Sequence, residues 1–224
     1  MKVACMQPYF LPYIGYWQLI HSVDKFVILD DVQYITKGWI NRNKIIVKGK
    51  EQWVTIPLKD ANRNRMINEI DICDKTEWLP KLRRSITYNF SKSIFFEDIG
   101  KLLNGILDYE ENNLSKFLIK SISSICEYLG INTEILIASD CCPKGNLSGQ
   151  NRVRNICENL GAISYINPPG GKSLYDASSF LEREISLNFL EQCAEQDFLC
   201  SITQILFEKN KEEIKSELNK VVIN

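Results

Sequence analysis

The chain has 224 residues, of which 45% are hydrophobic and 25% are charged, the balance of an ordinary globular domain. The formal net charge is −1, so no global basic field exists to hold a nucleic-acid backbone, and we expect no nucleic-acid partner. The length predicts a single domain over 1–224 that buries a core of normal size. It does not predict the oligomeric state.

No apolar run approaches the length of a membrane-spanning helix, and the apolar residues at the N-terminus belong to a predicted strand. We therefore expect a cytoplasmic protein without a transmembrane segment. In that compartment the eight cysteines remain thiols. The sequence has no C-x-x-C pattern and a single histidine, His21, so we predict no metal site built on Cys and His.

The chain is organised around its first 43 residues. A predicted strand over 3–6 leads into a proline-containing turn over 7–12 and a helix from 13 to about 20. A second strand over 26–29 follows. This order predicts a parallel βαβ unit, in which ligands bind beyond the carboxyl ends of the strands. The loops at 7–12 and 30–43 both leave such ends.

The middle of the chain predicts an insertion over about 44–130. Two β-rich runs, 44–47 and 52–56, flank a short turn and predict a hairpin. Alternating isoleucines indicate a short strand across 67–72. Three helices are predicted, over 77–88, about 99–107 and 114–129, and Gly130 is the expected stop of the last.

The parallel pattern then resumes, ending in two helices. A strand is predicted over 134–138, followed by a loop over 139–147 and a helix over 149–160 with Ser148 as its N-cap. Strands over 162–167 and 185–189 flank a short helix capped by Asp176. Helices over 198–207 and 211–221 end the chain. We therefore predict an α/β fold with an open, mainly parallel sheet, helices on both faces, and an inserted β-hairpin with helices.

The first candidate site is the loop and helix start after strand one. Its prolines stiffen the loop, and the N-terminus of a helix suits a phosphate or carboxylate group. The alternative interpretation is that its tyrosines are core aromatics. The candidate substrate-binding residues are Gln7, Tyr9, Tyr13, Gly15 and Tyr16.

The second candidate site follows strand two. Aspartates at the end of an apolar strand are costly to bury without partners, and they suit a ribose, a sugar hydroxyl, an amine or Mg²⁺. The alternative is that Arg42 simply pairs with one of them. Asp30, Asp31 and Arg42 are the candidate catalytic residues, and Gln33, Trp39, Asn41 and Asn43 are candidate substrate contacts.

The third candidate site is the helix start near residue 148, with Lys144, Ser148 and Arg152. A cation in the first turn of a helix opposes the helix dipole, so Arg152 indicates that an anion also docks there. The alternative is a solvated helix face. Further along, Gly170-Gly171-Lys172-Ser173 is an incomplete phosphate-loop motif that also suits a substrate-contacting loop.

Three stretches resemble the WbqC-like family: residues 6–16, residues 29–34 and residues 38–43. Shorter matches lie at 85–88 and 160–162, so the resemblance spans nearly the whole chain. Members of this family are similar to proteins encoded among genes for O-antigen and other surface polysaccharides. The resemblance implies transfer of an amino acid onto a sugar.

A second resemblance is at the level of the fold. The segment from Tyr13 to Tyr16 occupies the place of the His-x-Gly-His signature in nucleotidylyltransferase-like α/β domains, and residues 148–154 resemble their later Ser-x-x-x-Arg helix start. Both signature histidines are tyrosines here, and a tyrosine is uncharged near neutral pH. The sequence does not fix the cofactor: this resemblance makes ATP with Mg²⁺ the candidate, whereas the two tyrosines argue against adenylate chemistry.

Three functions follow from these patterns. The first is an enzyme of surface-polysaccharide assembly that forms an amide on an amino sugar or nucleotide sugar, in which Asp30 or Asp31 accepts a proton while Arg42 and Arg152 neutralise negative charge. The second is an acyltransferase that uses an acyl group already activated on a carrier, without ATP. The third is a noncatalytic subunit that binds a nucleotide sugar.

Overall fold

The computed structural model describes residues 1–192 and 200–224. Strand β1 (Lys2–Met6), helix α1 (Ile14–His21) and strand β2 (Lys25–Ile28) come first. The two strands pair in parallel, with Val3 opposite Lys25. The predicted βαβ unit is therefore confirmed.

The inserted hairpin is formed by β3 (Arg42–Val47) and β4 (Lys50–Thr55), which pair antiparallel. Its two-residue turn, Lys48-Gly49, has φ angles of 51° and 74°. Positive φ at both turn positions matches the right-handed twist of hairpin strands, which is why glycine suits this turn.

After the hairpin the chain forms two very short strands, β5 (Leu58–Lys59) and β6 (Asp71–Ile72), paired antiparallel. A 3₁₀ turn, Ile67–Glu69, lies between them. The single strand predicted across 67–72 is therefore wrong, because the alternating isoleucines are buried by this turn and a two-residue strand.

The three predicted helices of the insertion are present. They are α2 (Lys75–Phe90), α3 (Phe96–Leu107) and α4 (Leu114–Leu129). The Asn113 side chain accepts a hydrogen bond from the Lys116 amide and caps α4, and Gly130 ends it with φ of 69°. A left-handed residue at this position is the usual helix stop, and glycine adopts it without strain.

The second half of the sheet comprises β7 (Glu134–Ile137), β8 (Ser164–Asn167) and β9 (Ser186–Gln192). Short helix α5 (Ala138–Cys141) follows β7 directly, so the loop predicted over 139–147 begins later than expected. Helix α6 (Gly149–Leu160) starts after Ser148 as predicted, and α7 (Ala177–Leu181) is capped by Asp176.

The chain continues through α8 (Ile202–Glu208), α9 (Lys211–Leu218) and β10 (Val221–Ile223). The start of the helix predicted over 198–207 lies outside the described residues. The helix predicted over 211–221 ends at Leu218, and the last residues form an antiparallel strand beside β9 instead.

The strand order is β10-β9-β8-β1-β2-β7, and β10 alone among these is antiparallel to its neighbour. Counted by themselves, the five parallel strands have the order 3-2-1-4-5 of a doubly wound sheet. The chain therefore changes direction at β1, and the crevice between β1 and β8 is the topological switch point, where ligands of such sheets bind.

Alternate residues of β1 face two separate hydrophobic clusters. Ala4 packs with residues of α1, α4, α8 and the insertion, while Val3 and Cys5 pack with residues of α6 and α7. The sheet is thus covered by helices on both faces, as predicted. No helix within the described ranges is both long enough and apolar enough to cross a membrane.

Candidate functional site

Asp30 lies at the end of β2 and is 3% exposed. Its carboxylate accepts hydrogen bonds from the backbone amide and the hydroxyl of Ser139, at 3.0 and 2.6 Å. It also accepts one from the side-chain amide of Asn68, at 3.1 Å. Both carboxylate oxygens are therefore occupied by protein donors. Asp30 ties β2 to the start of α5 and to the insertion.

Asp31 is also buried and forms an ion pair with Arg152, with 2.7 Å between Oδ2 and the guanidinium. The same guanidinium donates to the carbonyl oxygens of Ala138 and Cys142, at 3.0 and 2.7 Å. The anion predicted to dock beside Arg152, in the first turn of α6, is thus the carboxylate of Asp31. Asp31 Oδ1 and Arg152 Nε are buried without a hydrogen-bond partner among the described residues.

Arg42 does not pair with either aspartate. It donates to the carbonyl oxygens of Gly38 and Lys37 and lies 4.2 Å from the centre of the Trp53 ring. The pairing of Arg42 with an aspartate, considered from the sequence, is therefore wrong, because Arg152 from a distant helix takes that place.

The asparagines of the second candidate site join the two loops that leave β1 and β2. The buried Asn43 amide donates to the carbonyl oxygens of Phe10 and Leu11, and the Phe10 amide donates to the Trp39 carbonyl. Asn41 accepts from the Tyr34 hydroxyl at 2.8 Å. Loops 7–12 and 30–43 therefore lie against each other.

These loops and the hairpin enclose a cavity of about 270 Å³, which we call the aromatic cavity. Its walls are aromatic, with one amide and one pair of opposite charges. It is lined by Tyr9, Pro12, Tyr13, Trp39, Asn43, Lys44 and Glu51.

Trp39 lines the aromatic cavity, and the Trp53 ring lies beside the Trp39 ring, with ring centres 5.4 Å apart. Both are more than 40% exposed. Lys44 and Glu51 form an ion pair across the hairpin, and the side chain of Glu51 is 55% exposed. The cavity thus presents a solvent-accessible carboxylate and ammonium beside exposed indole rings.

The tyrosines at the start of α1 separate into two groups. Tyr16 is 2% exposed, and its hydroxyl donates to the Gln7 carbonyl at 3.0 Å. Burial raises the pKa of Tyr16 well above its ordinary value. Gly15 is likewise buried in the first turn, whereas Tyr13 and Tyr9 reach the aromatic cavity.

A second cavity, of about 370 Å³, opens between the carboxyl ends of β1 and β8, and we call it the switch-point cavity. It holds the Gly170-Gly171 segment that the sequence marks as a substrate-contacting loop. It is lined by Cys5, Met6, Gln7, Tyr9, Leu29, Ile35, Asn167, Pro168, Gly170, Gly171, Leu174 and Tyr175.

Tyr9 lines both cavities, so the aromatic and switch-point cavities adjoin along the edge of the sheet. The third candidate segment contacts the loop after β2 instead. Lys144 donates to the Asp31 carbonyl and Ser148 is exposed. Among the described residues, the lining of neither cavity includes Lys144, Ser148 or Arg152.

The described residues do not fit a Mg²⁺ ion at the aspartates. Protein donors take both oxygens of Asp30 and one oxygen of Asp31. Within residues 1–192 and 200–224, no group of three or more His, Cys, Asp and Glu side chains is placed to hold a metal. Gln33, the remaining candidate of this loop, is exposed and bridges to Met66 through the backbone.

Three polar residues of the two cavities are missed by the sequence prediction. Lys44 and Glu51 sit within a hairpin that the sequence marks only as a structural insertion. Asn167 ends β8, and its place at the end of a parallel strand is the signal that points to it.

Two comparisons with known proteins cover most of the chain. A model of the WbqC-like protein family matches residues 7–210. Uncharacterized protein Rv1507c of Mycobacterium tuberculosis is 31% identical over 198 residues, which are 88% of this chain and 85% of that protein. No solved structure matches.

Proposed function

The chain belongs to the WbqC-like protein family, and on that basis we propose that it is an enzyme of surface-polysaccharide biosynthesis. In this proposal it transfers an amino acid or acyl group to an amino sugar or nucleotide sugar and forms an amide. The observation that carries the proposal is that Tyr9 is shared by two adjoining cavities at the carboxyl edge of the sheet. A substrate of two linked parts fits such an arrangement.

The aromatic cavity is the place proposed for the reacting sugar. Ligand sites are lined mainly by aromatic and apolar groups, with a few polar groups that fix orientation. Tyr13 and Trp39 offer faces to the apolar side of a sugar ring, and the Lys44–Glu51 pair offers a donor and an acceptor to its polar groups.

Amide formation requires a proton acceptor beside the attacking amine. The amine nitrogen bonds to the acyl carbon, the leaving group departs with the electron pair of the broken bond, and the nitrogen loses a proton. Asp30 and Asp31 are held by internal donors, so the proposal assigns the proton to Glu51. The Lys44 ammonium then stabilises the negative charge that develops on the acyl oxygen.

The test is to incubate the protein with amino sugars and nucleotide-linked amino sugars, and with each amino acid, and to search for the amide by mass spectrometry. Parallel reactions contain ATP, no ATP, or an acyl thioester in place of the free amino acid. Product that requires ATP identifies a ligase, and product from the thioester alone identifies a carrier-dependent transferase. Glu51→Gln is expected to lower turnover while substrate binding persists.

A noncatalytic subunit that binds a nucleotide sugar is the second candidate. The specific observation in its favour is that Asp30, Asp31 and Arg152 are engaged with one another or with neighbouring protein groups. Tight binding of a nucleotide sugar without product under all three conditions selects this candidate and contradicts the enzymatic one.

A further inference from the structure

The switch-point cavity carries no charged side chain among the described residues that line it. Its ionisable groups are the thiol of Cys5 and the phenols of Tyr9 and Tyr175. Burial raises the pKa of each of these groups above its ordinary value, so all three are neutral near pH 7. A phosphate placed here would lose its hydration without gaining a cation, which is costly.

The polar groups of the switch-point cavity are instead amides at the ends of two neighbouring strands. Gln7 follows β1, and its side-chain amide has no hydrogen-bond partner among the described residues. Asn167 ends β8 and is 5% exposed. A side-chain amide offers both donors and acceptors, the combination that pairs with the edge of a nucleobase.

Asn167 is held in place from two sides. Its oxygen accepts from the Tyr165 hydroxyl at 3.1 Å, and its nitrogen donates to the Pro168 carbonyl at 3.3 Å. Gly171 packs against the same amide so closely that a Cβ there would lie 1.7 Å from Asn167 Nδ2. The glycine is therefore needed for the observed position of Asn167.

We propose that the switch-point cavity binds the uncharged nucleoside part of a nucleotide-linked substrate, and that its phosphates lie outside this cavity. The amides of Gln7 and Asn167 read the base edge, while the rings of Tyr9 and Tyr175 supply faces for stacking. This assignment rests on the proposed function, since it names the part of the nucleotide-linked acceptor that the second cavity holds.

The experiment titrates the protein with adenosine, guanosine, cytidine, uridine and thymidine by isothermal titration calorimetry, and then repeats the titration with excess tripolyphosphate. We expect one or more nucleosides to bind, with an affinity that tripolyphosphate does not change. Gln7→Leu and Gly171→Ala should each weaken binding about tenfold, the effect of one lost polar contact. Gly100→Ala, whose added Cβ meets nothing within 4 Å in α3, should leave binding unchanged.

Binding of no nucleoside, or displacement of the nucleoside by tripolyphosphate, overturns the assignment. If Gly171→Ala fails to fold, Gln7→Leu decides alone, because Gln7 makes no side-chain hydrogen bond within the described structure, and unchanged binding by that variant overturns it too. Amide formation on a sugar without nucleoside binding contradicts this inference but leaves the proposed function standing. Nucleoside binding without any amide product supports this inference and contradicts the proposed enzymatic function.

Discussion

The carboxylate of Asp31 accepts a hydrogen bond from the Arg152 guanidinium at 2.7 Å, which joins the end of β2 to helix α6 across 121 residues of sequence. The Arg152 side chain is 1% exposed and that of Asp31 is 10% exposed. Both side chains are thus almost fully buried, so we interpret the pair as a structural support of the loop that leaves β2.

Removing one partner of this pair should destabilise the fold. Asp31→Asn leaves the Arg152 charge buried without a counter-charge, and we expect a loss of about 3–5 kcal/mol in the free energy of unfolding, measured by urea denaturation. The double variant Asp31→Asn with Arg152→Gln should lose less than the sum of the two single variants. Full stability of Asp31→Asn combined with lost turnover would instead make Asp31 a catalytic residue.

Much of the sheet follows from local sequence pattern. Short apolar runs alternating with amphipathic helices predict all five parallel strands, and the positions of Asp30 and Asp31 at a strand end follow from the same reasoning. The final strand β10 is missed because Val221 continues the apolar pattern of α9, and only pairing with β9 makes it part of a strand.

The roles within the site are harder to predict than its position. The sequence brings Arg42 near the aspartates, but the choice of Arg152 depends on how α6 crosses the sheet. The Lys44–Glu51 pair likewise depends on the register of the hairpin, which places Lys44 opposite Trp53 rather than opposite Glu51. Such long-range arrangements leave little signal in a single sequence.

Trp39 should contribute strongly to binding of a sugar in the aromatic cavity. Trp39→Ala removes an exposed wall of that cavity, and we expect a loss of about 1–2 kcal/mol in binding free energy, or roughly 5- to 30-fold in affinity. Titration with an amino sugar, followed by calorimetry, measures this change. Tyr88→Ala is the control, because Tyr88 is an exposed aromatic on α2 that does not line either cavity. Equal losses in the two variants would contradict the assignment.

Replacing two glycines by alanine should change the stability of the fold in opposite directions. Gly161 ends α6 with φ of 69°, so Gly161→Ala forces a side chain into a left-handed conformation and should cost about 1 kcal/mol. Gly105 lies within α3, where an added Cβ meets nothing within 4 Å, and Gly105→Ala should stabilise by about 0.5–1 kcal/mol. Thermal unfolding of both variants tests this, and a shift of the same sign would refute it.

The stability of the protein should fall in acid partly through Glu217. Burial raises the pKa of Glu217, but hydrogen bonds from Lys209 and Lys220, at 3.0 and 3.1 Å, outweigh burial and lower it below the ordinary 4.5. Because the folded state has the lower pKa, this contribution is present above about pH 4.5 and disappears as the pH falls through the folded value. Glu217→Gln should therefore show a weaker decrease of melting temperature with acid than the unaltered protein, and identical curves would contradict this.

The hydrogen bonds from Asn43 to Phe10 and Leu11 have a kinetic consequence for whatever enters the aromatic cavity. Since the two loops are already locked together in the free protein, their ordering entropy is lost when the chain folds rather than when a ligand arrives. Association should then proceed in a single fast phase, and replacing Asn43 with alanine should introduce a slow, concentration-independent step as the loops come together.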